Sequence, residues 1–156
     1  DPLLSAGARN YWKSHDLLDL GTPEIDMMID AAGRLPDAES DILVAHLSGV
    51  MSRIAPDATA FVQRAPHFVV NIHTRWRDPT KDDMAKAWAR SLFDALSPRS
   101  AGVYVNFMPA EESGRVADAY GANLSRLSTI KAKYDPENRF RLNQNIAPAA
   151  PKRMAG

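Results

Sequence analysis

The chain has 156 residues, 45% of them hydrophobic and 24% charged, which is enough for one compact globular domain with its own core. Nineteen Lys and Arg balance nineteen Asp and Glu, so no global field draws nucleic acid or an anionic membrane surface, and neither is expected as a partner. The absence of cysteine removes disulfide frameworks and thiolate metal sites, and no run reaches the roughly 18 apolar residues of a membrane span. The opening Asp1-Pro2-Leu3-Leu4 shows no basic leader, cleavage pattern or initiator Met. It reads as a cut into a longer chain, with a cytoplasmic setting as the default expectation.

In chain order, the first predicted helix starts at Thr22, a candidate N-cap. Pro23 suits the first helical position, and Glu24 and Asp26 favour the positive end of the dipole. Ile25, Met28, Ile29 and Ala32 form its apolar face, and Gly33 with Pro36 end it. The period then becomes that of a strand. Residues 41–47 are rich in branched apolar side chains, and 50–54 is a candidate partner strand across Ser48-Gly49. Residues 68–76 alternate, with Phe68, Val70, Ile72 and Thr74 on one side and Val69, Asn71, His73 and Arg75 on the other.

A second helix is predicted from Thr80, where Thr80-Lys81-Asp82-Asp83 resembles a capping box with Asp in place of Glu. Met84, Ala87, Trp88, Ser91, Leu92 and Ala95 follow at helical spacing as far as Ser97-Pro98. A short strand over 103–107 comes next. A third helix over 111–134 is open to a break at Gly114 or Gly121 and is striped by Val116, Tyr120, Leu124, Leu127, Ile130 and Tyr134. The Pro/Ala-rich tail after Ile146 ends in Lys152-Arg153 and is expected to be extended or frayed. Consecutive strands with flanking helices predict an α+β fold, an antiparallel sheet with helices packed on one face.

The short motifs of catalysis are missing: there is no Gly-rich phosphate loop, no His-Glu-x-x-His pair and no Gly-x-Ser-x-Gly elbow. His15, His46, His67 and His73 lack metal-ligand spacing. His46 and His73 could meet across a sheet, but two imidazoles make a poor site, so no metal is expected. Polarity on strand faces is the remaining signal. Asn71 and His73 either face solvent or supply fixed donors and a group titrating near neutral pH to a cavity wall, and His46 carries the same two readings. Tyr104 and Asn106, two apart on a short strand, project to one side and need partners if buried, as a core contact or as a site. Asn143-Gln144-Asn145-Ile146, after the turn-forming Tyr134-Asp135-Pro136-Glu137-Asn138, reads by composition as a loop.

These residues carry a resemblance. Tyr134-Asp135-Pro136-Glu137-Asn138-Arg139-Phe140-Arg141-Leu142-Asn143-Gln144-Asn145-Ile146-Ala147-Pro148 resembles the C-terminal signature of the berberine-bridge-enzyme-like FAD-linked oxidoreductases, flavoproteins of the vanillyl-alcohol-oxidase type. Gly102-Val103-Tyr104-Val105-Asn106-Phe107 resembles the family's Tyr-x-Asn strand, and Asn10-Tyr11-Trp12-Lys13-Ser14 resembles the opening of its substrate domain. Leu47 through Ile54, Thr59-Ala60-Phe61 with Arg64, and Phe68 through Trp76 are similar in order and spacing.

The resemblance implies that residues 1–156 are the substrate-binding, flavin-covering region of a larger enzyme, with the N-terminal FAD-binding domain as its missing partner. It implies FAD as cofactor, held mainly by that domain, and a small-molecule substrate whose CH–OH or CH–N carbon passes a hydride to flavin N5 while a protein group takes the proton. By position, Tyr104 matches a base or substrate-orienting tyrosine, and Asn71 a pocket-lining position often Gln or Glu in relatives. Asn106 matches an asparagine facing flavin or substrate, and Asn143 and Gln144 fall at the flavin-side end. Phe107 stands where several members carry a second Tyr. His46 and His73 join the substrate-binding candidates from strand phase alone. A tyrosine base, with an ordinary pKa near 10, needs a nearby cation or hydrogen bonds, for which His73 or Arg75 are candidates. On this reading the chain alone is inactive and does not retain FAD, because one pocket wall gives little burial. The rival reading is a stand-alone α+β module, dimeric, that binds a small ligand between sheet and helices.

Overall fold

Four antiparallel strands, β1 (Arg9–Leu17), β2 (Asp41–Leu47), β3 (His67–Trp76) and β4 (Ser100–Gly102), pair in the order β2-β3-β1-β4. The computed structural model describes residues 6–150; the Asp1-Pro2-Leu3-Leu4 start and the Lys152-Arg153 end of the tail lie outside them. β1 is absent from the periodicity reading because Lys13, Ser14, His15 and Asp16 fill its middle. All four are buried, which polar strand residues tolerate only when both sheet faces are covered.

The register sorts the side chains. Tyr11, Lys13, His15 and Leu17 share a face with Val70, Ile72, Thr74 and Trp76, while Trp12, Ser14 and Asp16 share the other with Val69, Asn71 and His73. On the first face pack α1 (Thr22–Ala32) and α2 (Asp82–Leu96), burying Met28, Ala31, Ala85, Ala89, Leu92 and Leu96 against Val70, Ile72 and Trp76. α1 and α2 thus share one face of an open antiparallel sheet. Gly21 rather than Thr22 caps α1, its N–H donating to the Glu24 carboxylate at 3.0 Å. The Thr80 capping box does not form. Asp78 accepts from Thr80 N at 2.9 Å, a 3-10 turn over Pro79–Lys81 intervenes, and α2 starts two residues later than expected. The buried stripe of α2 is also rotated: Ala85 and Ala89 bring the helix close to the sheet, and Met84 points out.

Three further expectations are corrected. Residues 50–54 are not a strand but hold a 3-10 turn over Met51–Arg53, because Gly49, at φ 73°, turns the chain off the sheet edge. Only Ser100–Gly102 pairs with β1; beyond it the chain coils into a 3-10 turn over Val105–Phe107. The long third helix is four pieces, a 3-10 segment over Ala110–Arg115, α3 (Val116–Tyr120), a 3-10 turn over Gly121–Asn123 and α4 (Leu124–Tyr134), with the break at Gly121, whose φ is 47°. Val116 and Tyr120 of the expected stripe pack on Val103, Met108 and Ala119, whereas Ile130 and Tyr134 are exposed. The tail is tied down over its described part, with Ala149 N donating to Ser128 O at 3.0 Å.

The second sheet face is covered by residues 55–66 and 103–123. Asn123 donates to Pro56 O and Thr59 O at 2.7 and 3.1 Å, and Gln63 donates to Ala101 O at 2.9 Å. Within that second segment, the Ala110–Arg115 turn is anchored on the helix face. Because β4 covers only the end of β1, the Ala110–Arg115 turn lies beside Lys13, whose ammonium is 2.6 Å from Glu112 and 2.8 Å from Glu111. Burial pulls the Lys13 ammonium down, but the hydrogen bonds to Glu111 and Glu112 outweigh it and hold it above the usual lysine value. The Lys13 and Tyr11 hydrogen bonds bring Glu111 down to about 2.

Removing Lys13 takes from buried Glu112 one of its two cations and leaves it to Arg115 alone, so Lys13→Met is expected to lower stability by up to about 3–5 kcal/mol, much of it recovered in Lys13→Met/Glu112→Leu. Urea unfolding of the two variants tests this; equal loss in both would show that packing and not charge is at stake. A depressed carboxylate contributes fully above its ordinary value of 4.5, and the Glu111 contribution is lost as pH falls towards about 2.

Candidate functional site

A cavity of about 580 Å³ opens on the second sheet face. Leu43, Ala45 and Leu47 of β2 and Val69 of β3 form its floor, Phe61 one wall, and Val103 to Phe107 with Tyr120 the other. β2 and β3 contribute alternate residues because register places Ala45 opposite Val69 and Leu47 opposite His67. Tyr104 sits just before the 3-10 turn, and Phe107 N donates to its carbonyl at 2.9 Å. The turn brings Asn106 back onto it, so the Asn106 amide donates to the Tyr104 hydroxyl at 2.8 Å. Phe107 and Phe61 stand edge-on to the Tyr104 ring at 5.2 and 6.4 Å between centroids. The Arg64 guanidinium lies over the far ring of this set, 5.1 Å from Phe61.

A second concavity of about 430 Å³ shares Val105, Asn106 and Tyr120 with the first and adds Asn143 and Gln144. Asn143 adopts φ 61°, a left-handed conformation that asparagine tolerates, and Asn145 N donates to its carbonyl at 3.0 Å. Gln144 donates to Met108 O at 2.8 Å, while its Oε1 and Asn145 Oδ1 are buried acceptors with no partner among the described residues.

This end is held by Asp135. Its carboxylate accepts from Arg139 N at 2.8 Å and Phe140 N at 3.0 Å, and Lys131 approaches to 2.6 Å. The lysine hydrogen bond is the largest cause of an Asp135 pKa of about 2. Asn138, at φ 52°, completes the turn.

The structure thus brings Tyr104, Asn106 and Phe107 to one cavity, and Asn106, Asn143 and Gln144 to its neighbour. It does so through a turn rather than the strand phase that the sequence reading used. Asn71 lies on the cavity side of β3, two residues past Val69, buried, with Oδ1 unpartnered, and it is not among the residues that line the cavity with Tyr104. His46 and His73 do not meet. His46 stacks on Phe68 on the helix side of the sheet. His73 is on the cavity side but four residues beyond Val69, about 13 Å along the strand, stacked on Trp12 and bonded to Asp41 at 3.2 Å and Asn10 at 3.1 Å. Arg75 is engaged by Glu39 at 2.8 Å, so neither His73 nor Arg75 is the cation beside Tyr104.

Sequence reasoning missed the floor residues, Tyr120, and a buried row around Val69 formed by Ser14, Asp16, His67 and Asn71, each with an unpartnered polar atom. Burial pushes the Asp16 carboxyl up, with His67 and Arg115 pulling the other way. Only the alternation within 10–17 could have signalled this row, and it needed β1 to be read as a strand. Among the described residues no group of three or more His, Cys, Asp or Glu is placed to hold a metal ion, and no helix is long and apolar enough to cross a membrane.

The family model for berberine and berberine-like domains matches residues 103–147, the stretch that carries Tyr104, Asn106, Asn143 and Gln144. The chain belongs to the berberine-bridge-enzyme-like family. It is 36% identical over 145 residues to the uncharacterised FAD-linked oxidoreductase YvdP of Bacillus subtilis, covering 93% of this chain and 31% of that protein. It is 34% identical over 122 residues to berberine bridge enzyme-like 6 of Arabidopsis thaliana, covering 67% of this chain and 22% of the relative. Berberine bridge enzyme from Eschscholzia californica shares the fold at a TM-score of 0.77 and 20% identity, over 90% of this chain and 33% of its own. The chain spans a third or less of the length of the curated relatives it matches.

The left-handed turns and the Asp135 cap make a prediction. Asp135→Asn is expected to increase amide exchange at Arg139 and Phe140 at least tenfold. In the unaltered chain the same protection, full above the ordinary carboxylate value of 3.8, is lost as pH falls towards about 2. Exchange read by NMR at each pH checks both.

Proposed function

We propose that this chain is the substrate-side, C-terminal part of an FAD-linked oxidoreductase that oxidises a CH–OH or CH–N carbon of a small molecule. The observation that carries the reading is the Tyr104–Asn106 pair. It stands at the boundary between an apolar cavity and an amide-lined concavity, inside the stretch matched by the family model. The donor set fits a flavin: Asn106, Asn143 and Gln144 are neutral amides, and the unpartnered acceptors on Gln144 and Asn145 suit a ring edge that both donates and accepts. Bound FAD would supply the two-electron acceptor.

The residues of this chain then have distinct tasks. Phe61 and Phe107 hold the Tyr104 ring, and Asn106 donates to its hydroxyl, which leaves the hydroxyl hydrogen free for a substrate heteroatom. Tyr104 is the group placed to orient the substrate hydroxyl or amine and to exchange its proton as the carbon is oxidised. Asn71 and the Asp16 carboxyl lie beside Val69 on the same sheet face, next to the residues that line the cavity. Exposed Tyr134, Phe140 and Leu142, on and beyond α4, give an apolar surface for the remainder of the longer protein to cover. Substrate and upstream flavin-holding domain are thus the partners this reading requires, and the isolated chain is inactive.

The test is the longer polypeptide that contains this chain. It is expected to purify with an oxidised flavin spectrum, and Tyr104→Phe should cut turnover about 10²–10⁴-fold while leaving that spectrum intact. Flavin-free protein would remove the oxidoreductase reading, and unchanged turnover would remove the role of Tyr104.

A further inference from the structure

We infer that Ser100 and His15 form a nucleophile–base pair, and that the concavity they border on the helix side of the sheet cleaves neutral esters of small acids. This is a second site. It shares no lining residue with the Tyr104 cavity and does not depend on the oxidoreductase reading. The concavity measures about 510 Å³, and Phe93, Ser97, Gly102 and Arg115 border it with the pair.

The imidazole of His15 is fixed at both nitrogens. Nε2 lies 3.0 Å from Phe93 O, which can only accept, so Nε2 carries the hydrogen. The Ser97 hydroxyl, 3.3 Å from Nε2, gives its own hydrogen to Phe93 O at 3.0 Å. Nδ1 is left as an acceptor and meets the Ser100 hydroxyl at 2.8 Å. Gly102 O competes for the Ser100 hydrogen at the longer distance of 3.1 Å. Phe93 stacks on the imidazole at 4.1 Å between centroids and holds its plane. Burial pulls His15 below the usual histidine value, against the Phe93 carbonyl, so the ring is a neutral base at pH 7.

Ser100 reaches this base through a bulge. Asp16 pairs with Gly102 but Leu17 pairs with Ser100, so β4 carries an extra residue at that point. Nucleophile, base and a carbonyl that orients the base are the parts of an acyl-transfer site. Arg115 supplies the remaining one. Its Nη1 donates to Glu112 at 2.8 Å and its Nε to Asp118 at 3.5 Å. Nη2 has no hydrogen bond among the described residues and is the donor for an oxyanion. Glu112 and Asp118 already balance the arginine charge, which favours a neutral ester over an anionic one.

The step balances without an oxidant. Ser100 Oγ bonds to the ester carbonyl carbon as its proton passes to His15 Nδ1. The bond from that carbon to the alcohol oxygen then breaks, and the alcohol leaves with the proton. Water repeats the sequence on the acyl-serine, releasing the acid and restoring Ser100.

The experiment uses the longer polypeptide that contains this chain. It is mixed with p-nitrophenyl acetate, and separately with diisopropyl fluorophosphate before peptide mass spectrometry. Saturable release of nitrophenolate is expected, lowered at least about 100-fold by Ser100→Ala at an unchanged Tm, together with a phosphoryl label on Ser100. Hydrolysis that survives Ser100→Ala, or the lack of a label on Ser100, overturns the inference. His15→Gln should abolish the label, and a label that persists in folded protein overturns the role of the base. If that variant does not fold, Ser100→Cys replaces it. A thiol beside His15 should react with iodoacetamide at about pH 6 at least about tenfold faster than free cysteine, and an ordinary rate overturns the pair.

Discussion

The buried pairing of Lys13 with Glu112 is the constraint on which the arrangement of the site depends. β1 is a central strand only where β4 pairs with it, at Asp16 and Leu17; along the rest of its length its outer edge is free of strand partners among the described residues. The chain that leaves β4 builds the cavity wall with Val103, Tyr104 and Phe107 and then docks beside that edge. An apolar contact could hold it in several registers. A buried ammonium shared by two carboxylates, with Arg115 2.8 Å from Glu112 and Arg90 2.9 Å from Glu111, accepts few. Fixing 111 and 112 limits where 103–108 can lie, and so where Tyr104 meets Asn106. Charges on the helix face of the sheet thereby set the geometry of neutral groups on the other face.

The fold was legible where one kind of residue repeats with one period. β2 and β3 are rich in branched apolar residues, and α1 and α2 have apolar stripes broken by Pro and Gly, so α+β with an antiparallel sheet followed from pattern alone. β1 was illegible for a physical reason. Each of its faces lies against a polar network: Lys13 and His15 on the helix side, where His15 stacks on Phe93 at 4.1 Å, and Ser14 and Asp16 on the other. Buried polar residues, whether paired across the fold as Lys13 and His15 are or unpartnered as Ser14 and Asp16 are, look in one dimension like a loop. The phase of α2 erred similarly, because Ala85 and Ala89 score as weakly apolar yet are completely buried by close approach to the sheet.

The candidate site was half legible. Tyr104, Asn106, Phe107, Asn143 and Gln144 came from a motif whose order is fixed, and the structure groups them although the expected strand is a turn. His46 and His73 came from parity, and parity failed because it carries no information about which face a strand presents or where along it a cavity ends. His46 sits on the helix face, and His73 beyond the cavity within a closed set of hydrogen bonds with Asn10 and Asp41. Composition could not have named the floor residues, since Leu43, Ala45, Leu47 and Val69 are the same residue types that fill any core.

Asn106 is the hinge between the two parts of the proposed chemistry. It lines both concavities, donates to Tyr104 in one, and stands beside Asn143 and Gln144 in the other. An oxidation that moves a hydride between substrate and flavin needs the two molecules in contact, so the two spaces must adjoin and share a wall. In the proposed chemistry a charged side chain in that wall would penalise a neutral flavin ring, and an apolar one would leave the Tyr104 hydroxyl without the Asn106 donor. A neutral amide held by a short turn satisfies both demands, and the turn in place of a strand is what folds the amide back far enough to serve them.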